Sequence, residues 1–262
     1  MSTGPHARRA RPGRRPRRRA GLAGLATAVV LALVAGCGPA PALPDAVPSP
    51  GDLVPSFASQ RPPDGAQHLG TGATETVRRM AVRIRNVQCD GLSTGSGFAL
   101  DAHTLVTNKH VVEDSRSLQV ATSDGRDVAV ASASVAKVAD LAVVRTSEAL
   151  PSSPTLADAD PAEGDDVTVV GYPEGGKLTV TRGTVVGTTD DPLYSTLGKV
   201  LVTDASVEPG SSGSAALDDD GRVIGVVYAK TDDGRSLLVP VSTLRSLLDD
   251  TAAFTAAPSC AG

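Results

Sequence analysis

Short apolar runs rich in valine, separated by turn residues, fill the chain from about residue 74 to residue 250. Runs of this kind predict β-strands, and many of them at even spacing favour an all-β barrel or sandwich. A domain of about 180 residues is large enough to bury the cores of two small barrels. The predicted strands are Ala81–Val87, Ser96–Leu100, Thr104–Thr107, Ser117–Ala121, Val128–Val135, Leu141–Arg145, Asp166–Gly171, Leu178–Thr188, Val200–Asp204, Ala215–Leu217, Val223–Ala229 and Ser236–Pro240.

The segment from residue 241 to residue 248 has a different pattern. Pro240 precedes it, Ser242 can act as an N-cap, and leucines 244, 247 and 248 share one helical face. This pattern predicts a short C-terminal helix that packs on the second barrel. The predicted domain therefore spans residues 74–252, followed by a tail over residues 253–262.

The first 36 residues have the composition of an export signal. Residues 1–20 carry eight arginines and no acidic residue, and an apolar run follows over residues 21–34. That run is too short for a comfortable membrane span, which needs about 20 residues. The tetrapeptide at residues 34–37, Val-Ala-Gly-Cys, resembles the lipobox of bacterial lipoproteins, which implies cleavage before Cys37 and lipidation of its thiol. A plain secretory signal with an incidental cysteine and an uncleaved anchor are the alternatives.

Residues 37–73 are dense in Pro, Gly, Ala and Ser, with little apolar periodicity. This composition predicts a flexible tether that is extended where proline is frequent. With a lipid on Cys37, the domain would lie on the extracytoplasmic side of the cell membrane, and the tether would hold it at a distance from the membrane surface.

Removal of the signal changes the charge balance of the chain. The full sequence has 25 basic and 29 acidic residues, and the signal contains eight of the basic ones. The mature protein keeps 17 basic residues against 29 acidic ones, a net charge of −12. Nucleic-acid binding is therefore disfavoured, because no basic stripe remains to neutralise phosphates.

The cysteines agree with export. Cys89 and Cys260 can pair in an oxidising compartment, and the chain-entropy treatment values such a long loop at roughly 4–5 kcal/mol. Two free thiols are the alternative. No metal site or cofactor is expected, because the domain's histidines, His103 and His110, do not neighbour a cysteine.

The most informative stretch is residues 208–214, Glu-Pro-Gly-Ser-Ser-Gly-Ser, which places Ser212 on a tight turn between two glycines. Glycine lets the backbone turn sharply and direct its N–H groups one way. An acyl-transfer enzyme needs an exposed hydroxyl with backbone donors beside it.

Upstream residues supply the two partners that such a serine needs. His110 follows an apolar strand and begins a predicted short helical turn, while Asp140 precedes another apolar run. An imidazole can take the hydroxyl proton, and a carboxylate can orient the imidazole. His103 lies in a predicted surface turn. The chain order His, Asp, Ser is that of chymotrypsin-type proteases.

Several motifs resemble those of bacterial trypsin-like serine proteases of the HtrA-type and glutamyl-endopeptidase-type branches. The resemblance covers about residues 76–250 and implies a chymotrypsin-like double β-barrel with the active site between the barrels. It also implies that Ser212 is the nucleophile, His110 the general base and then acid, and Asp140 the orienting carboxylate. The N–H groups of Gly210 and Ser212 would form the oxyanion hole. The matching motifs are Thr107–Val112, Asp140–Val144, Gly171–Pro173, Pro209–Ser214 and Gly221–Val226.

The resemblance also implies a primary pocket lined by Ser206, Val207, Val227 and Tyr228. No aspartate stands at the pocket position that selects basic residues, and Val227 stands where glutamyl enzymes carry histidine. A small or medium aliphatic residue is therefore expected before the scissile bond.

Three residues depart from the family pattern. Ser211 replaces the usual Asp or Asn, so activation through a new N-terminal amine is not expected. Ser214 replaces a common glycine and Ala215 a frequent proline, and their Cβ atoms could alter the oxyanion loop.

The sequence thus predicts an exported, membrane-tethered serine endopeptidase that acts on peptides or unfolded proteins. A catalytically weak or inactive protease-fold lipoprotein, acting as a binding or scaffold module, is the main alternative. An α/β-hydrolase esterase fits poorly, because that fold alternates helices with strands and orders its triad Ser, Asp, His.

Overall fold

The computed structural model describes residues 71–260 with the exception of residue 195. The predicted signal peptide (residues 1–36), the lipidation site Cys37 and the tether up to residue 70 lie outside the described residues. Among the described residues, no helix is both long enough and apolar enough to cross a membrane.

The strands of the described residues form two antiparallel units. The first is an eight-stranded sheet with the order β14-β6-β7-β3-β2-β1-β4-β5. Its strands are β1 (Ala81–Gln88), β2 (Leu92–Asp101), β3 (Thr104–Thr107), β4 (Ser115–Thr122), β5 (Asp127–Val128), β6 (Val130–Ala136), β7 (Ala142–Thr146) and β14 (Phe254–Ala256).

The second unit is a closed six-stranded barrel with the order β10-β13-β12-β11-β8-β9. Its strands are β8 (Asp166–Gly171), β9 (Thr179–Asp190), β10 (Lys199–Thr203), β11 (Ala215–Leu217), β12 (Val223–Lys230) and β13 (Ser236–Pro240). Among the described residues, three α-helices accompany the strands, namely α1 (Thr71–Met80), α2 (Lys109–Val112) and α3 (Val241–Asp249). The predicted all-β class with a short C-terminal helix is confirmed.

Aliphatic side chains fill the cores, since the chain has three Phe, three Tyr and no Trp. One cluster lies within the first sheet and includes Ile84 and Leu105, and another fills the barrel and includes Leu201 and Leu238. A third cluster takes members from both units and from α1 and α3, among them Phe98 of the first sheet. This shared apolar layer fixes the two units against each other.

The predicted strands are present, with a few differences in detail. The run predicted as Val128–Val135 is two strands, because residue 129 interrupts it. Helix α1 begins inside the predicted tether, and its buried Val77 and Met80 pack into the shared core. Strand β14 lies in the predicted tail, where it pairs with β6.

The predicted N-cap of helix α3 is wrong. Pro240 occupies the cap position, and Ser242 lies inside the first turn. Ser242 donates its backbone N–H to Oδ1 of Asp160 at 2.9 Å and its hydroxyl to Oδ2 at 2.6 Å. A carboxylate from a distant loop therefore satisfies the helix end and favours its positive dipole.

The predicted disulfide is present. Cys89 and Cys260 are joined across 171 residues of sequence. The bridge lies beside the segment that follows α2, because the backbone N–H of Cys89 donates to the Asp114 carbonyl at 3.1 Å. The tail that carries Cys260 is thereby fixed to the first sheet.

Candidate active site

The first sheet supplies a histidine and an aspartate in direct contact. Helix α2 is a single turn after β3, and its His110 is half-exposed, whereas Asp140 is almost completely buried. The ring Nδ1–H of His110 donates to Oδ2 of Asp140 at 2.5 Å, and its backbone N–H donates to Oδ1 at 3.0 Å. Both carboxylate oxygens therefore hold one residue, which orients the ring and leaves Nε2 available as a base.

Asn108 fixes the backbone of this pair. Its side-chain amide donates to the carbonyl oxygen of Asp140 at 2.7 Å, and the residue is fully buried. The predicted surface position of His103 is confirmed, since it is exposed in the turn between β2 and β3. Of these two histidines, His110 is thus the one whose ring contacts a carboxylate, whereas the ring of His103 contacts the Thr146 carbonyl.

The closed barrel supplies the serine, which directly follows a type II turn. The N–H of Ser211 donates to the carbonyl oxygen of Glu208 at 2.9 Å, Pro209 takes the second position of the turn, and Gly210 takes the third with φ of 91°. A type II turn favours proline and glycine at these two positions, because the third residue needs positive φ. The dipeptide Pro209-Gly210 therefore determines the backbone conformation just before Ser212.

The same turn leaves two backbone donors without a protein acceptor. The Pro209 carbonyl accepts the N–H of Glu174 at 2.6 Å. The Gly210 N–H belongs to the same planar peptide and points the opposite way. Within residues 71–260, apart from residue 195, neither the Gly210 N–H nor the Ser212 N–H has an acceptor. Two free donors beside a serine can bind a developing oxyanion.

Ser96 of β2 joins the serine turn to the first sheet. Its N–H donates to the Ser212 carbonyl at 2.8 Å, and its hydroxyl donates to the Gly210 carbonyl at 2.8 Å. Its hydroxyl oxygen also accepts the N–H of Tyr172 at 2.8 Å, and its carbonyl accepts the hydroxyl of Thr107, three residues before His110. The sequence did not single out Ser96, although a serine between two glycines inside a strand was a usable signal.

These contacts bring the three predicted residues to one region of the molecule. Gly213 lies directly against Ser96 and Thr107, where a Cβ atom would collide with both. The Ser212 hydroxyl forms no hydrogen bond with any described residue. Catalytic hydrogen bonds of unliganded sites often tighten only when substrate binds.

Two of the three departures from the family pattern, Ser211 and Ser214, fit their surroundings. The hydroxyl of Ser211 accepts the N–H of Glu208 at 3.3 Å, which closes the turn from inside. Ser214 is fully buried and packs against Gly171, where a Cβ atom would collide with its hydroxyl. The glycine therefore makes room for the serine.

The four predicted pocket residues differ in exposure. Ser206 is exposed beside the turn. Val207 and Val227 are buried in the apolar core of the barrel. Tyr228 is also buried, and its hydroxyl donates to Oδ1 of Asp191 at 2.8 Å.

Tyr228 and Asp191 form a polar contact that the sequence did not predict. Burial raises the pKa of the Tyr228 hydroxyl, and the hydrogen bond to Asp191 raises it further. The tyrosine therefore stays protonated and donates. Asp191 also accepts the N–H of Leu193 at 2.9 Å, which anchors the loop between β9 and β10 to strand β12.

A closed antiparallel barrel beside a second antiparallel sheet, with the serine turn on one and the histidine on the other, is the architecture of the chymotrypsin-like fold. A sequence profile described as a trypsin-like peptidase domain matches residues 95–226, half of the chain. The chain belongs to the trypsin-like peptidase family.

Known proteins support this assignment. The chain is 36% identical to mitochondrial serine protease HTRA2 of Bos taurus over 60% of its own length and 36% of the relative's. It is 32% identical to serine endoprotease DegS of Escherichia coli over 70% of its own length and 58% of the relative's. The chain thus spans between about a third and three fifths of the length of these two relatives.

The fold is also that of a solved bacterial protease. The active form of the Rv3671c protease from M. tuberculosis superposes with a TM-score of 0.63 and 24% identity, covering 74% of this chain and 88% of that one. The predicted chymotrypsin-like fold is confirmed.

Proposed function

We propose that this protein is an exported, membrane-tethered serine endopeptidase that hydrolyses peptide bonds with Ser212, His110 and Asp140. The observation that carries the proposal is the pairing of a buried carboxylate with His110, while the N–H groups of Gly210 and Ser212 have no acceptor among the described residues. Each group has the chemistry that its role requires.

In the first half-reaction, the unprotonated Nε2 of His110 takes the proton of the Ser212 hydroxyl. The Ser212 oxygen forms a bond to the scissile carbonyl carbon, and the carbonyl electrons move onto its oxygen. The N–H groups of Gly210 and Ser212 stabilise that negative charge, and a single such donor contributes about 10²–10³ in rate. The C–N bond then breaks, and His110 returns the proton to the leaving amine.

In the second half-reaction, His110 takes a proton from water, and the hydroxide attacks the acyl ester on Ser212. The ester bond breaks, the serine oxygen regains its proton from His110, and the carboxylic acid product leaves. Asp140 remains a carboxylate throughout and stabilises the imidazolium that forms in both steps.

The location rests on the sequence of residues 1–37, which resembles a lipoprotein signal. A lipid on Cys37 would tether the domain at the outer face of the cell membrane, where peptides or unfolded proteins are its substrates. Mass spectrometry of the native N-terminus tests this part. A lipidated Cys37 supports it, and an unmodified first residue at any other position contradicts it.

A fluorophosphonate probe tests the catalytic part, because it phosphonylates only an activated serine. The full-length chain should be labelled, and Ser212→Ala should abolish the labelling. Ser214→Ala is the matched control, since it removes a nearby buried hydroxyl that has no partner among the described residues. Labelling of Ser212→Ala at the wild-type rate would refute the assignment. Folded wild-type protein that is never labelled would instead favour the scaffold function.

A further inference from the structure

An ion pair connects the two segments on either side of the predicted pocket. Glu208 begins the turn that leads to Ser212, and Lys230 is the last residue of β12. The Nζ atom of Lys230 lies 3.0 Å from Oε1 of Glu208, with 36% and 54% of the two side chains exposed. The pair therefore lies at the surface, within a few residues of the predicted nucleophile.

Strand β12 runs beside the serine turn before it reaches Lys230. The N–H of Gly213 donates to the Val227 carbonyl at 2.8 Å, and the N–H of Val227 donates to the Ser214 carbonyl at 3.0 Å. The strand then continues for three residues to Lys230. The backbone hydrogen bonds that hold the predicted nucleophile's turn thus lie on the same strand as Lys230, three residues before it.

A second contact joins the same two segments at a deeper level. Ser236 of β13 is the register partner of Lys230, and its buried hydroxyl donates to the Ala205 carbonyl at 2.7 Å. Ala205 is three residues before Glu208, and the exposed Ser206 lies between them. The same two segments are therefore joined twice, by the buried Ser236–Ala205 contact and by the exposed Glu208–Lys230 pair.

The geometry points to Glu208 and Lys230 as the residues that determine specificity for the side chain before the scissile bond. This inference rests on the proposed peptidase function. Each charge of the pair cancels the other beside the predicted pocket, so this pocket would select an uncharged residue. Removal of either charge leaves its partner uncompensated, and the remaining charge attracts a substrate side chain of opposite sign and repels one of the same sign.

Matched peptides test this inference. A peptide that the wild-type protein cleaves is prepared with Gln, Glu or Lys before the scissile bond, and kcat/KM is measured after fluorophosphonate titration of active sites. In the Glu208→Gln variant, kcat/KM for the Glu peptide relative to the Gln peptide should rise about fivefold. In the Lys230→Gln variant, kcat/KM for the Lys peptide relative to the Gln peptide should rise by a similar factor, as expected for half-exposed charges. The double variant should return both ratios to wild-type values. Salt at 1 M should remove the single-variant effects, because the Debye length is then about 3 Å.

A second ion pair provides the control. Arg222 and Asp220 lie 2.9 Å apart beyond the opposite end of β12. Arg222→Gln and Asp220→Asn make the same changes in net charge and should leave both ratios unchanged.

The inference is overturned if both pocket variants keep wild-type ratios within twofold, or if they shift preference in the same direction. Labelled enzyme with unchanged ratios rejects this inference alone. Unlabelled wild-type protein rejects the proposed function, and the inference fails with it.

Discussion

The two halves of the candidate site are held in place by different means. In the first sheet, side chains do the positioning, since both oxygens of Asp140 bind His110 and Asn108 binds the Asp140 backbone. In the barrel, backbone conformation does most of the positioning, since the Gly210 turn has positive φ and is closed by main-chain hydrogen bonds, to which the hydroxyls of Ser96 and Ser211 add contacts. One half therefore depends on the chemistry of its side chains, and the other depends on the absence of a side chain.

This difference decides which substitutions each half tolerates. An isosteric change of functional group should disable the acid–base half without moving any backbone. An added methyl group should disable the oxyanion half without touching any reacting group. Three predictions use this contrast, and their expected effects decrease in order.

Asp140→Asn should give the largest effect. The amide keeps the shape of the carboxylate, but it can stabilise neither the tautomer with the proton on Nδ1 nor the imidazolium, so kcat should fall by about 10⁴. Peptide hydrolysis by active-site-titrated enzyme measures the fall, and proton NMR should show loss of the downfield signal from the His110 Nδ1–H. A fall of less than tenfold would contradict the role given to Asp140.

Gly210→Ala should give the next largest effect. Its φ is 91°, and a Cβ atom would lie 2.6 Å from the Glu174 nitrogen, so the turn must move. Loss of one oxyanion donor should lower kcat by about 10²–10³. The His110 Nδ1–H signal should persist, because the other half is untouched.

Gly125→Ala is the matched control for this change. Gly125 has a similar φ of 83° in the turn after β4, but nothing lies within 4 Å of an added Cβ. It should lower the free energy of unfolding by about 1–2 kcal/mol and leave kcat within twofold. An equal loss of kcat in both variants would show that backbone strain alone, without movement of the oxyanion turn, reduces activity.

Ser96→Ala should give the smallest effect, because it removes hydrogen bonds between the two halves of the site and changes no residue that is proposed to react. The substitution removes the hydroxyl that binds the Gly210 carbonyl and the Tyr172 N–H. The free energy of unfolding should fall by about 1–3 kcal/mol in chemical denaturation, and kcat should fall by about tenfold. Ser132→Ala on the exposed face of β6 is the control and should change stability by less than about 0.5 kcal/mol. Wild-type activity in Ser96→Ala would show that the remaining backbone contacts suffice.

The sequence predicted the strands and the three candidate catalytic residues because each carries a local signal. Alternating and continuous valine runs predict strands, and the glycines around Ser212 predict a sharp turn. The motif order then related His110 and Asp140 to the serine. These signals need only a few neighbouring residues.

The partners that complete the site carry no comparable local signal. The Ser96 hydroxyl binds Gly210 across 114 residues of sequence, and Tyr228 binds Asp191 across 37. Such pairs depend on the register of the strands, and this register cannot be predicted from a single sequence. The irregular pairing of β12 with β13 after Val227 likewise has no local signal in the sequence.

Helix α1 escaped prediction for a related reason. Its sequence is mostly polar, and the helix is stabilised by the packing of its two buried apolar residues, Val77 and Met80, into the shared core. Helical stability in proteins comes largely from such packing.

Strand β14 has a consequence for the order in which the domain is assembled. The first sheet receives this strand only after every residue of the barrel has been synthesised. The loop that leads to Asp140 depends on the same late segment, because the N–H of Lys137 donates to the Ala253 carbonyl at 3.0 Å and its ammonium group donates to the Ala252 carbonyl at 2.7 Å. A nascent polypeptide that stops short of residue 252 therefore lacks the backbone support of the loop that leads to Asp140, so this half of the candidate site can be completed only after residues 252–256 have been synthesised.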